Sequence, residues 1–262
     1  MMLALSLLTS QPAALVRITQ ARGSTPRDQD AMMVVSATAT AGTIGGGQAE
    51  CLAIAAARRL LAGDQSQSTL DIPLGPEIGQ CCGGHLALRI ERVTPAILAE
   101  IRASEAQAAA LAPLVMIYGA GHVGRALAQA LSPLPFRTRL ADSRAAEFAA
   151  LAAPGVEQVL TDALVALAEN APPGAAHVIL THSHSLDSLI AAALLERGDF
   201  AYLGLIGSRT KRAVFERAFR EAGLPEAQIA RLTCPIGGTA VRDKRPQVIA
   251  ALVAAELIGV LR

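Results

Sequence analysis

The sequence predicts an α/β protein in which a small N-terminal α+β domain is followed by a Rossmann-type domain with a mainly parallel sheet. Three observations predict it. A chain of 262 residues exceeds the roughly 100 to 200 residues of a typical domain. From Leu114 onward, apolar runs alternate with helical stretches, the signature of βαβ units. The first of those runs ends in the glycine-rich turn Gly119-Ala120-Gly121-His122-Val123-Gly124, which opens a helix. Composition agrees, since hydrophobic residues make up 52% and aromatics only 3%. Small aliphatic side chains let helices pack closely on strands.

Taken in order, Ala13 to Ile18 and Met32 to Ser36 read as strands around the breaker-rich stretch Gly23-Ser24-Thr25-Pro26-Arg27-Asp28. Gly45-Gly46-Gly47 opens a helix over Gln48 to Leu61, whose apolar face is expected to bury Cys51. Thr69 to Pro73 and Leu86 to Val93 are strands, the latter with Leu86, Leu88 and Ile90 on one face. Pro95 to Leu111, rich in Ala and Glu and closed by Pro113, forms a connecting helix. The domains are therefore placed at 1–94, with 95–113 connecting them to 114–262. In the second domain the strands are Leu114 to Tyr118, Arg137 to Ala141, Val156 to Leu160, His177 to Thr181 and Tyr202 to Ile206. Helices follow at His122 to Leu131, Leu186 to Arg197 and Arg209 to Ala222.

A formal net charge of +1 supplies no basic field, so nucleic acid is not an expected partner. Arg, Asp, Glu or Pro interrupts every long apolar run, short of the roughly 18 residues of a membrane span. The opening Met1 to Leu8 lacks a basic segment ahead of it and a clear cleavage site, so export is not expected. Four cysteines, Cys51, Cys81, Cys82 and Cys234, show neither disulfide-scaffold nor paired zinc spacing. Free thiols in a reducing cytoplasm fit them. A mean hydropathy of +0.40 with few charges admits apolar surface covered by a partner, a homodimer included.

The glycine turn has two readings. In one, Gly119 permits a tight turn, Gly121 a close approach of backbone amides to a phosphate, and Gly124 close helix packing, with Asp142 about 20 residues on where a ribose hydroxyl is held. In the other, the glycines only let the helix pack on the strand. Beyond the fourth strand of this domain, Thr181-His182-Ser183-His184-Ser185 overlooks the edge where open α/β sheets bind ligands, and Asp187 is placed to cap the next helix. Gly207-Ser208-Arg209-Thr210-Lys211-Arg212 sets three cations in the first turn of a helix. They oppose the helix dipole, which fits either a solvated surface or an anionic ligand near Arg209. In the first domain, Gln80-Cys81-Cys82-Gly83-Gly84 forms a glycine-rich loop whose thiols are candidate nucleophiles or soft metal ligands, Cys82 first among them. Cys51 and Cys234 read as small buried hydrophobes.

Gly23-Ser24-Thr25-Pro26-Arg27, Gly42-Thr43-Ile44-Gly45-Gly46-Gly47-Gln48-Ala49-Glu50 and Gly79-Gln80-Cys81-Cys82-Gly83-Gly84 together resemble the xanthine dehydrogenase accessory factor family. The resemblance continues through Gly119 to Gly124, Asp142-Ser143-Arg144, Thr181 to His184 and Ile206 to Arg209. It implies a non-catalytic carrier that binds the molybdenum cofactor, a molybdopterin, shields it while its terminal sulfur is installed, and delivers it to apo-xanthine dehydrogenase. The implied partners are xanthine dehydrogenase and a sulfur donor such as a cysteine desulfurase. It also makes Cys82 the cofactor contact. Gln48 stands where relatives nearer carbon monoxide dehydrogenase accessory proteins carry Cys, which favours the xanthine dehydrogenase branch. The segment from Cys234 to Pro246 follows the family pattern only in part and is more basic. A nucleotide in the crevice and an NAD(P)-dependent oxidoreductase form the competing expectation. It lacks a Tyr-x-x-x-Lys pair, and Tyr118 and Tyr202 both fall in strands expected to be buried.

Overall fold

The computed structural model describes residues 11–76 and 83–261. The chain divides into two compact units, Met1–Ala106 and Gln107–Arg262.

The first unit is built on a five-stranded antiparallel sheet. Its strands are β1 (Ala13–Arg22), β2 (Met32–Ser36), β3 (Thr40–Gly42), β4 (Gln67–Pro73) and β5 (His85–Arg92), in the order β3-β2-β1-β5-β4. β1 is central and buried on both faces, as the two-residue period of a strand allows. Ala14, Val16 and Ile18 join the core beneath helix α1 (Gly47–Ala62), while Ala13 and Leu15 join the one beneath helix α2 (Pro95–Leu111). The buried stripe of α1 is Ala49, Ala53, Ala56, Ala57 and Leu60. Cys51 lies off that stripe and is exposed, which corrects the expectation of a buried thiol: the 3.6-residue period turns position 51 to solvent. Arg92 closes the carboxyl end of α1, donating from its guanidinium to the carbonyls of Leu60 (2.8 Å) and Leu61 (3.0 Å).

The second unit carries the expected parallel sheet. Its strands are β6 (Leu114–Tyr118), β7 (Arg137–Asp142), β8 (Glu157–Leu160), β9 (Ala176–Ile179), β10 (Tyr202–Leu205) and β11 (Leu232–Thr233). The order β11-β10-β9-β6-β7-β8 is the Rossmann arrangement, with the reversal of strand order between β6 and β9. Helices α3 (His122–Leu131) and α8 (Pro246–Leu261) cover one face through Leu127, Leu131, Val253 and Leu257. Helices α4 (Leu164–Glu169), α5 (His184–Arg197) and α6 (Arg209–Glu221) cover the other, and the short α7 (Glu226–Ile229) follows. β6 is buried along its whole length, as a strand with helices on both faces must be. β9 ends at Ile179, two residues before the expected end, so Thr181 belongs to the loop at the ligand edge. Among the described residues no helix is long and apolar enough to cross a membrane.

Candidate functional site

The crevice of the second unit is built first by the turn after β6, where the three glycines separate into two kinds. Gly119 has φ +113°, and a Cβ there would lie 2.3 Å from the Leu180 carbonyl oxygen. A Cβ on Gly124 would lie 1.9 Å from the Gly119 carbonyl oxygen. Both positions must be glycine for the turn, α3 and the end of β9 to pack. Gly121 differs: it has ordinary backbone geometry at the N-cap of α3, and a Cβ there would meet nothing within 4 Å. No side chain caps this helix. Its first amides therefore have no side-chain acceptor and suit an anion, through free N–H donors and the helix dipole.

Asp142, at the end of β7, is 2% exposed. Its Oδ2 accepts from the Ala120 amide (2.7 Å) and the Arg144 guanidinium (2.8 Å), and its Oδ1 accepts from the Arg144 amide and Nε (both 2.9 Å). Burial alone would raise its pKa, but the hydrogen bonds from Arg144 and Ala120 outweigh that and hold the group at about 2. A carboxylate has about four acceptor sites, and here four donors fill them. In this geometry Asp142 fixes the glycine turn to β7, and a ribose hydroxyl would have to displace Arg144 to reach it.

At the carboxyl ends of β9 and β10, Ser183 caps α5 by accepting from the Leu186 amide. Asp187 therefore does not cap that helix, contrary to expectation. It is fully buried, and its Oδ1 accepts from the Thr181 amide (3.0 Å) and hydroxyl (2.8 Å). Lys211 Nζ donates to Asp187 Oδ2 at 3.0 Å. Of the three cations opening α6, Lys211 is thus matched by Asp187, and Arg212 by Glu216 at 2.6 Å. Arg209 stays exposed, 3.4 Å from the Thr239 hydroxyl. His182 and His184 are both exposed, and among the described residues no three His, Cys, Asp or Glu side chains form a metal cluster. Cys234 is 3% exposed, and burial raises its thiol pKa. It is the small hydrophobe expected.

In the first unit the glycine-rich segments converge. A Cβ on Gly45 would lie 2.4 Å from Pro26 Cγ, and one on Gly84 would lie 2.1 Å from the Ser24 carbonyl oxygen. Ser24 and Gly83 form a bridge, and Leu74 exchanges backbone hydrogen bonds with Gly83 and Gly84 (2.9 and 2.8 Å). Glu50 binds the preceding turn, its Oε2 accepting from the Ile44 and Gly46 amides and the Thr43 hydroxyl. Gly46 and Gly83, both with positive φ, would meet nothing within 4 Å. Gln80, Cys81 and Cys82 lie outside the described residues; the stem of their loop sits in this cluster.

The Lys211–Asp187 pair and the use of Arg144 were not read from the sequence. The Asp187 carboxylate lies three residues into a helix and Lys211 on another, and no spacing rule links them. The signal that existed was the two unlike charges at the ligand edge of adjacent βα units.

Residues 115–257 match the family model described as the XdhC Rossmann domain, and residues 7–73 match that of the XdhC and CoxI family. The chain is 30% identical over 258 residues to the uncharacterized protein YqeB of Escherichia coli (strain K12), covering 95% of this chain and 43% of that protein. It therefore spans less than half the length of that curated relative. In structure it is similar to a Bacillus halodurans protein described as a xanthine dehydrogenase, with a TM-score of 0.80 at 20% identity over 98% of this chain and 94% of that one. At that identity the likeness establishes the fold.

Proposed function

The chain belongs to the XdhC family, and from that premise we propose that it is an accessory factor that carries the molybdenum cofactor to apo-xanthine dehydrogenase. In this reading the cofactor is cargo, bound in the cytoplasm, shielded while a partner such as a cysteine desulfurase supplies its terminal sulfur, and then released. The chain itself turns over no substrate. The observation that carries the reading is the meeting of three glycine-rich segments in the first unit around the stem of the Cys81-Cys82 loop. Open space at Gly46 and Gly83 leaves backbone free for a close approach. Cys82, with Cys81 and Gln80 beside it, is the proposed contact for a soft, sulfur-bearing centre. The uncapped amides at Gly121 suit a phosphate in the same sense.

The competing oxidoreductase reading draws on the strand order and the open turn at Gly121. It needs a group to exchange protons at neutral pH. Tyr118 and Tyr202 are both buried, and burial pushes both phenols well above their ordinary pKa, with Glu256 adding to the shift at Tyr202. Neither is poised for that task.

The test is purification of the full chain from molybdenum-replete cells, followed by oxidation of the denatured protein to a fluorescent pterin and by reconstitution of apo-xanthine dehydrogenase at limiting cofactor. Bound pterin and faster activation with the protein than without it are expected. Cys82→Ala should lose most of the pterin, while Cys51→Ala and Cys234→Ala keep it. Absence of pterin together with equal activation in both arms would overturn the reading.

A further inference from the structure

The turn between β11 and α8 walls a cavity of about 470 Å³ in the second unit. The β10–α6 turn contributes Ile206, Gly207 and Arg209 to the lining, and the apolar floor includes Ile236, Ile249 and Leu252. This volume lies within the range of small-molecule sites. Two glycines shape it from the protein side. A Cβ on Gly207 would lie 3.2 Å from Cys234 Sγ, and one on Gly237, at φ +74°, would lie 3.1 Å from Leu252 Cβ. The cavity stands at the carboxyl ends of β10 and β11, two strands from β6 and its glycine turn, so it is a separate place on the ligand edge.

Its charge is one-sided. Arg209, Arg242 and Lys244 line it, and all three are exposed. The one acidic lining residue, Asp243, does not offset them. Its two carboxylate oxygens accept from Arg245, at 2.9 Å from the amide and at 2.6 to 3.1 Å from the guanidinium. Arg209 is also the cation in the first turn of α6 that no carboxylate matches among the described residues, at a helix end whose dipole disfavours it. An anion in the cavity would relieve that opposition. The apolar floor, meanwhile, offers a ring a surface away from water.

We propose that this cavity is a binding site for a phosphate-bearing heterocycle of mononucleotide size, with Arg209, Arg242 and Lys244 holding the phosphates and Ile236, Ile249 and Leu252 supporting the ring. The site goes beyond the carrier reading and does not depend on which enzyme is matured, since its test involves no dehydrogenase.

The test is isothermal titration of the full chain at low ionic strength with two probes, ADP and inorganic pyrophosphate. ADP should bind, and more tightly than pyrophosphate, which lacks a ring. Arg242→Ala and Arg209→Ala should each weaken ADP by about tenfold or more, as loss of a charge-assisted hydrogen bond does. Both side chains are exposed, so the variants should fold, which circular dichroism checks. Arg217→Ala, an exposed cation on α6 outside the cavity lining, should leave ADP affinity within about twofold, while Gly121→Val reads the other phosphate site, the α3 amides. No binding of ADP to the wild type overturns the assignment, as does binding indifferent to both Arg209→Ala and Arg242→Ala or lost only in Gly121→Val. Equal affinity for the two probes overturns the role of the apolar floor.

Discussion

The two units hold their loops in place by different means. Among the described residues, the buried polar group of the first unit is Ser36, whereas the second unit buries Thr138, Asp142, His177 and Asp187. The first unit positions its glycine segments by close packing of glycine backbone, Gly45 against the Pro26 ring and Gly84 against the Ser24 backbone, with the half-buried Glu50 tying one turn. In the second, Asp142 ties the glycine turn to β7, and Asp187 ties the loop after β9 to α6. Backbone contact is indifferent to charge. A buried carboxylate is not: it stabilises only while its donors remain, and it makes the loop it holds sensitive to pH and to the loss of one partner.

The largest effect should therefore come from breaking such a tie in the second unit. Lys211→Met leaves the fully buried Asp187 without its cation, and removing one partner of a buried pair costs about 3–5 kcal/mol. Hydrogen exchange should show peptides from β9, β10 and α5 losing protection, while those from β1 and β5 keep theirs. The double variant Lys211→Met, Asp187→Leu should lose less than the single one, because no uncompensated charge remains. A single variant within about 0.5 kcal/mol of wild type would mean that the loops are held as they are in the first unit.

Next in size is the response to acid. His177 is 2% exposed, its Nδ1 2.9 Å from the Tyr118 hydroxyl. Burial first, and then the nearby Arg197, lower its pKa to about 4, with Asp199 opposing weakly. The folded value lies below the ordinary 6.5, so the unfolded chain takes up the proton more readily. The stability this group contributes is complete above pH 6.5 and is lost as pH falls through 4. A shift of that size corresponds to something on the order of 3 kcal/mol. Asp142, held at about 2, acts only below that window. Unfolding followed by probes in the second unit should steepen between pH 6.5 and 4, and His177→Gln should flatten it. An equal slope in the variant would remove His177 from the account.

What the sequence made legible follows the same division. The parallel sheet was readable because β6 is a continuous apolar run, and because Gly119 to Gly124 follows it at the right place. β11 was not, since two residues carry no period; β3 was lost for the same reason with three. Cys51 was misplaced because an Ala-rich helix offers little contrast between faces, and the true stripe shows only when Leu60 is aligned with Ala49, Ala53 and Ala56. Within the site, Gly121 and Asp142 were found as motif positions, but the motif does not say which oxygens are already bonded. The Arg144 guanidinium that occupies Asp142 comes two residues later on the same strand end, and only its geometry reveals it. In the first unit the family resemblance grouped the glycine segments as motifs but did not say that they meet, since the residues that do, Gly45 with Pro26 and Gly84 with Ser24, are far apart in the chain.

The smallest effect on stability should accompany the sharpest effect on binding, at Gly121. Of the three turn glycines, it alone has ordinary backbone geometry and free space where a side chain would start. Gly119 and Gly124 are fixed by contacts of 2.3 and 1.9 Å that no Cβ can share with backbone, so their substitution tests the fold rather than a ligand. Gly121→Val adds bulk only on the open side. Stability to thermal unfolding should fall by no more than about 1 kcal/mol, the cost of an aliphatic residue in place of glycine at an N-cap. Any phosphate-bearing ligand seated on the α3 amides should be displaced, because the valine occupies the approach that those amides need. The measurement pairs a melting curve with a ligand titration or, for cargo copurified from cells, a pterin assay. Full retention of the ligand with unchanged melting would mean that the α3 amides hold nothing. A large drop in melting would instead mean that the space before Gly121 is part of the fold, and that the two units differ less than their buried groups suggest.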